Sequence, residues 1–501
     1  MRPFALLSLA LVSASTAAAQ RPKDPLAGLD RYVEKALADW GVPGAAVAVV
    51  RGDSVLVAKG YGVRQKGGSE AVDAETIFAI GSNSKAFTTA ALALLVDEGK
   101  LAWDDRVITH LPWFQLADPW ITRELDIRDL VSHRTGVARH DALWYATGRS
   151  TEEVVRQLRF VGTELPFRSG WLYNNNLYLT AGLVIERLSG MTWDDFVTTR
   201  LFRPLGMSRA STTVRGLDRT PNVATPHMSL DGTIQTVPYR NIDNAGPAGS
   251  INASARDMAR WLQFQIDSGM VGGRRLLPPK QFAEMWQGRA IIQDPFFRGL
   301  LAPSELVEYG LGWFVFLHRD RKVVLHGGNI DGMSALMGFM PEERIGVVVL
   351  TNLNQSFAHN GITRWVFDRL IGAPDEDWNA KTLALFERAR SGGAGGPSWK
   401  SSRIEGTKPT LALSAYAGSY TDSLYGGATV RERSGALELE LDPGHVARLE
   451  HWHYDTFRAL FADKTMNEGS NFVTFRLGGR GEVESVEVAG FTTYGRLTSR
   501  R

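Results

Sequence analysis

Apolar positions recur at helical spacing near the start of the chain. Leu26, Leu29, Tyr32, Val33 and Leu37 fall on one face of residues 25–40 and predict an amphipathic helix. Two short β-rich runs follow, Ala45 to Val50 and Ser54 to Lys59. They flank Arg51-Gly52-Asp53, a hairpin signal. A long apolar helix is predicted from about Lys85 to Val96, ending near Glu98-Gly99. Much later, Lys322 to His326, Ser334 to Met340 and Ile345 to Leu350 read as three buried strands, and Trp365 to Leu370 as part of a final helix. This order predicts an α+β fold, one antiparallel sheet flanked by helices.

The pattern changes after Ala373. Residues 391–409 are rich in Gly, Ser and Pro and read as linker. Beyond them come short alternating runs, Ala428 to Arg431, Ala436 to Leu441, Phe472 to Leu477 and Val483 to Ala489, separated by turn residues. They predict a small all-β barrel or sandwich. The expected division is a first domain over 24–375, a linker over 376–409 and a β-domain over 410–501. A chain of 501 residues is too long for one ordinary core, which agrees with two domains.

Residues 1–19 carry Arg2, an apolar run from Phe4 to Val12 and the small residues Ala17-Ala18-Ala19. That is the pattern of a secretory signal, with Gln20 as the mature start. The run is too short for a membrane span, and no other stretch approaches the roughly 20 apolar residues a span needs. A periplasmic or secreted protein is expected. Lys and Arg total 56 against 54 Asp and Glu, so no basic excess points to nucleic acid. The absence of cysteine excludes disulfides, thiolate metal sites and a thiol nucleophile. Two histidine groups invite a metal reading: His133, His140 and Asp141, and His451 with His453. Neither has strong ligand spacing. No metal or other cofactor is expected, and the 14 tryptophans read as core and cleft lining.

Three separated motifs carry chemistry. Ser82-Asn83-Ser84-Lys85 is the only Ser-x-x-Lys in the chain and opens the long helix. Residues three apart share a helix face, so the Lys85 amine can lie beside the Ser82 hydroxyl. If burial lowers the lysine's pKa, the neutral amine can take the serine proton. The second motif is Tyr173-Asn174-Asn175, in a Gly- and Asn-rich turn. A phenol near a cation can have its pKa lowered and exchange protons, and the amide can hold a carbonyl or a lysine. The third is His326-Gly327-Gly328-Asn329, after a strand-like run. The two glycines permit close backbone approach, the next N–H can serve as an oxyanion donor, and His326 can donate to a developing charge.

In this order the motifs resemble those of the penicillin-recognising serine hydrolases: class C β-lactamases, DD-peptidases, D-aminopeptidases and related esterases. Val131-Ser132-His133-Arg134-Thr135-Gly136, Gly246-Pro247-Ala248-Gly249-Ser250 and Tyr309-Gly310-Leu311-Gly312-Trp313 are similar to further family segments. The resemblance covers roughly residues 25–372, and the tail is similar to the lipocalin-like barrel of some D-aminopeptidase-like members. It implies that Ser82 is the nucleophile, Lys85 its base or the base's partner, and Tyr173 a second proton-transfer group. It also implies that Asn175 positions substrate and lysine, and that the N–H groups of Ser82 and Asn329 form the oxyanion hole. His326 stands where many members have lysine, and Gly327 where they have Thr or Ser, which weakens the case for a carboxylate-bearing substrate. The implied activity is acyl-enzyme hydrolysis of amide or ester bonds in small molecules or short peptides. β-Lactamase activity and a non-turnover sensor are the alternatives. A homo-oligomer is one expected option, and the barrel is read either as a ligand-binding module or as a cap on the cleft of its own or a neighbouring chain.

Overall fold

The computed structural model describes residues 24–301, 306–392, 402–441, 444–467, 471–489 and 493–496. The proposed signal segment, 1–19, lies outside the described residues.

The first helix, α1 (Leu29–Trp40), begins later than the periodicity suggests. Gly28 sits at φ 93°, a left-handed conformation that lies outside the helix. The hairpin forms as expected from β1 (Gly44–Arg51) and β2 (Ser54–Gly62), with Gly52 at positive φ in the turn. Three helices from the first part of the chain matter for the site: α2 (Ser84–Asp97), α3 (Asn176–Ser189) and α4 (Ala255–Ile266). Six strands complete the sheet. They are β3 (Ala290–Ile291), β4 (Val307–Tyr309), β5 (Phe314–His318), β6 (Arg321–Ile330), β7 (Met333–Met340) and β8 (Ile345–Thr351). The strand order is β2-β1-β8-β7-β6-β5-β4-β3, antiparallel throughout. The fold is therefore α+β, as the hydrophobic pattern indicates.

The sheet is buried on both faces. Along β1, Ala46, Ala48 and Val50 pack into the core shared with α2 and α4, while Ala45, Val47 and Val49 pack towards α1. Strands covered on both sides read as continuous apolar runs, which is how Ile345–Leu350 reads. Pairing Val47 with Val349 fixes the register, and a one-residue slip would exchange the two faces. On the α1 side lies α5 (Ala358–Ile371).

The helix α5 is not the last one. A further helix, α6 (Trp378–Gly392), occupies the first part of the stretch read as linker. Trp378 Nε1 donates to Asp368 Oδ2 at 2.8 Å, and Trp40 Nε1 donates to Asn379 Oδ1 at 2.9 Å. Gly361 lets α5 approach α6 closely, since a Cβ there would lie 2.7 Å from Asn379 Cα. Residues 378–390 are mostly good helix formers, and only the following Gly/Ser/Pro run breaks the pattern.

The C-terminal part is a closed barrel rather than a sandwich. Its eight strands, β9 (Gly418–Asp422), β10 (Gly426–Arg433), β11 (Ala436–Leu441), β12 (His445–His453), β13 (Thr456–Phe461), β14 (Phe472–Leu477), β15 (Val483–Val488) and β16 (Thr493–Arg496), pair sequentially. β9 pairs with β16 to close the ring, which removes free strand edges. Leu437, Leu439 and Leu441 alternate inward, and Tyr416 is fully buried among them. The barrel rests on the sheet domain beside residues 140–149. His140 Nδ1 and Tyr425 OH lie 2.8 Å apart, and Arg149 Nη2 donates to the Tyr425 carbonyl at 2.7 Å.

Candidate active site

The strand Ile77–Ala79 leads into a 3₁₀ turn, Gly81–Asn83, and α2 starts at Ser84. Ser82 therefore sits on the turn before the helix, and Lys85 within its first turn. Lys85 Nζ lies 3.0 Å from Ser82 Oγ and donates to the Ala248 carbonyl at 2.8 Å. The lysine is fully buried and sits over the rings of Tyr173 and Tyr178, 4.8 and 5.3 Å from their centroids. Burial, and secondarily the Arg139 charge, lower its pKa well below the ordinary 10.5. That depression favours the uncharged amine against the serine hydroxyl. Gly182 makes room for this arrangement, because a Cβ there would lie 2.3 Å from Pro247 Cγ, next to Ala248.

Tyr173 hydrogen-bonds Ser82. The expectation of a lowered phenol pKa is corrected: burial raises it, and the hydrogen bond to Ser82 and the Arg139 charge offset that only in part. Tyr173 therefore rests with its proton. His133, at φ 57° in the Ser132–Gly136 loop, packs against Tyr173 with ring centroids 4.1 Å apart and the planes tilted by 39°, and its Nδ1 accepts from the Asn174 N–H. That contact gives the Val131–Gly136 segment a physical role at the site.

The third motif forms the end of β6, which presses against the serine turn. A Cβ on Gly328 would lie 1.9 Å from the Ile80 carbonyl oxygen, and one on Gly81 would lie 2.8 Å from the Asn329 nitrogen. Glycine is required at both positions for Ser82 and Asn329 to meet. The Asn329 side chain is tied back: its Oδ1 accepts from Ser334 Oγ and Gln355 N, and its Nδ2 donates to Asn354 Oδ1.

His326 departs from expectation. Its Nδ1 is 2.6 Å from the Gly327 carbonyl, so that nitrogen carries the proton. Its Nε2 accepts from Tyr309 OH at 2.9 Å. Both ring nitrogens are occupied within the protein, and neither is offered to a substrate. Burial, then the neighbouring Lys85, depress its pKa to about 3. The position filled by a cation in many resembling sequences is electrically neutral here. Asn175 also differs, since its Nδ2 donates to Asp141 Oδ1 at 3.0 Å rather than holding Lys85.

Ser82, Tyr173, Asn329 and Arg139 line two cavities at once. One, about 100 Å³, adds Asp141, Trp144 and Asn175. The other, about 580 Å³, is walled by Trp171, Phe297, Phe314, Leu336 and Phe357, with His326, Gly327 and Gly328 at its edge. Arg139 ion-pairs with Asp141 at 2.6 Å over the Tyr173 ring. Sequence reasoning missed Arg139 and the aromatic wall, and it marked Tyr309 only as part of a similar segment; the position of Arg139 soon after the Ser-His loop was the one hint of it. Among the described residues no group of three or more His, Cys, Asp or Glu is arranged to hold a metal. His140 is engaged by Tyr425, and Asp141 by Arg139 and Asn175.

A sheet covered by helices on both faces, with a Ser–Lys–Tyr cluster where helix α2 meets the sheet, defines a β-lactamase-fold hydrolase. The family model described as Beta-lactamase matches residues 29–370, and the chain belongs to that family. Residues 402–497 match a domain of unknown function, DUF3471. The chain is 29% identical over 457 residues to Unguisins hydrolase ungD of Aspergillus violaceofuscus (strain CBS 115571), covering 83% of this chain and 77% of that one. It is 31% identical over 319 residues to Penicillin-binding protein 4 of Amycolatopsis lactamdurans, covering 62% and 81%. The octameric penicillin-binding protein homologue from Pyrococcus abyssi shares the fold at TM-score 0.63 and 20% identity, over 94% of this chain and 99% of that one.

Proposed function

We propose that this protein is an exported serine hydrolase that cleaves amide or ester bonds through an acyl-enzyme. The observation that carries the reading is the buried Lys85 amine, its pKa held well below 10.5, 3.0 Å from the Ser82 hydroxyl. Lys85 takes the proton as Ser82 Oγ attacks the carbonyl carbon. The N–H groups of Ser82 and Asn329 hold the oxyanion that forms. Tyr173, protonated at rest and bonded to Ser82, relays a proton to the departing amine or alkoxide. Water then attacks the ester and frees Ser82. Asn175 acts by orienting Asp141 and, through it, Arg139 at the rim. Residues 1–19 act as the export signal and are removed after Ala19.

The name of the Aspergillus relative supports the hydrolytic reading, and that of the Amycolatopsis relative supports acylation at this serine. A β-lactamase role is less well supported, because His326 supplies no positive charge for a lactam carboxylate. The test is Ser82→Ala. Turnover of nitrophenyl acetate and labelling by a fluorophosphonate should both disappear. Wild-type turnover in the folded variant would exclude Ser82 as nucleophile.

A further inference from the structure

The larger cavity beside Ser82 combines two features. Its wall is apolar and aromatic, and the rings of Trp171, Phe296, Phe297 and Phe357 are only partly buried there. At the same time Ser356 Oγ, His359 Nδ1 and Trp171 Nε1 are buried polar atoms without a hydrogen-bond partner among the described residues. Ser356 is 1% and His359 5% exposed, and both line this cavity. These three atoms have no accessible surface in the cavity, so the face it offers a ligand is the apolar and aromatic one.

The charge of the cavity narrows what that ligand is. His359 is held neutral by burial, with a pKa of about 3, and His326 is neutral as well. The lining contains one guanidinium, Arg139, already paired with Asp141, and one carboxylate, Asp294. Arg364, behind the wall, spends its donors on the Leu300 and Leu301 carbonyls. A substrate carboxylate would find no unpaired cation there. A neutral amide carries no charge to be paired and loses less than a carboxylate on entering such a wall.

We infer that this cavity seats an apolar residue of a peptide whose chain is uncharged at that end, so that the substrate is an amide-continued or amide-capped apolar peptide rather than one ending in a carboxylate. This rests on the acyl-enzyme reading above. In the reaction the scissile C–N bond breaks, the amine leaves with a proton, and water supplies the hydroxyl of the released acid.

The test uses the full mature chain and acetyl-capped dipeptide amides bearing Gly, Leu or Phe on either side of the central bond, in both stereochemistries. A matched set ends in free carboxylates, and cleavage is followed by mass spectrometry. Leu or Phe at one of the two positions should exceed Gly in kcat/KM by about 10- to 100-fold. Amides should exceed the corresponding acids by about tenfold or more. Phe297→Ala should reduce the Phe-over-Gly ratio several-fold. Equal rates across Gly, Leu and Phe, a preference for the acids, or cleavage of nitrophenyl acetate with no peptide cleaved would each overturn the inference while leaving the acyl-enzyme reading standing. Peptide cleavage that survives Ser82→Ala would instead overturn that underlying reading.

Discussion

Substituting Gly328 by alanine tests the proposed oxyanion site of the Ser82 and Asn329 N–H groups. The new Cβ would fall 1.9 Å from the Ile80 carbonyl oxygen and 2.9 Å from Asn83 Nδ2. An ordinary contact begins at 3.4 Å, so β6 and the serine turn must separate by about 1.5 Å. The obstacle is backbone, and no rotamer change relieves it. Asn329 follows Gly328 and moves with the strand, so its N–H leaves the Ser82 N–H. Losing one oxyanion donor costs about 10²–10³ in kcat, and a 1 Å misplacement costs about 10². We expect kcat for nitrophenyl acetate to fall by about 10²–10³. Stability should fall by only about 1–3 kcal/mol, the usual cost of overpacking. The assay pairs steady-state kinetics with thermal unfolding and fluorophosphonate labelling of Ser82. A variant that folds with a near-native melting temperature and keeps wild-type kcat would refute the claim that contact between β6 and the turn forms the oxyanion site.

Further outcomes follow from the charged groups. Because Lys85 has a depressed pKa in the folded protein, the unfolded chain binds the proton more readily, and stability rises with pH from the folded pKa up to 10.5. The acid limb of kcat/KM should therefore lie well below 10.5. Lys85→Met should abolish turnover, and its stability relative to wild type should decline as pH rises, a trend that urea unfolding across pH would detect. Asp368 behaves in the opposite way. Burial alone would raise its carboxyl, but hydrogen bonds from His318, Arg319 and Trp378 outweigh that and lower it from 3.8 to about 2. Its contribution, about 2 kcal/mol at 1.4 kcal/mol per unit, is fully present above pH 3.8 and lost as pH falls through 2. The stability gap between wild type and Asp368→Asn should narrow over that window. Arg240 joins Asp331, next to the end of β6, to Asp463 and Thr465 of the barrel, at 2.8, 2.6 and 2.5 Å. Arg240→Met should cost about 1–3 kcal/mol, less than a fully buried pair because Asp463 is partly exposed, and should increase hydrogen exchange at the barrel junction.

Much of the architecture was legible in the sequence because it rests on local spacing. The hairpin about Gly52, the apolar helix after Ser82 and the three strands from Lys322 to Leu350 each follow from periodicity within a few residues. The boundary at Gly28 and the helix Trp378–Gly392 were misjudged. The first depends on one glycine's backbone conformation, and the second is a helix former bordered by a low-complexity run.

The sequence alone determined which groups could react: no thiol, one Ser-x-x-Lys, and glycines placed where strands must approach. Only the tertiary structure decided their protonation and direction. The Lys85 pKa is depressed because residues up to 163 positions away enclose it. His326 is neutral because burial and the neighbouring Lys85 oppose its charge, and its Nε2 is occupied by the Tyr309 hydroxyl. The cavity wall joins Trp171, Phe297, Phe314 and Phe357 from four distant segments. Desolvation and cavity shape depend on every element that packs around a group, and spacing along the chain carries no record of them.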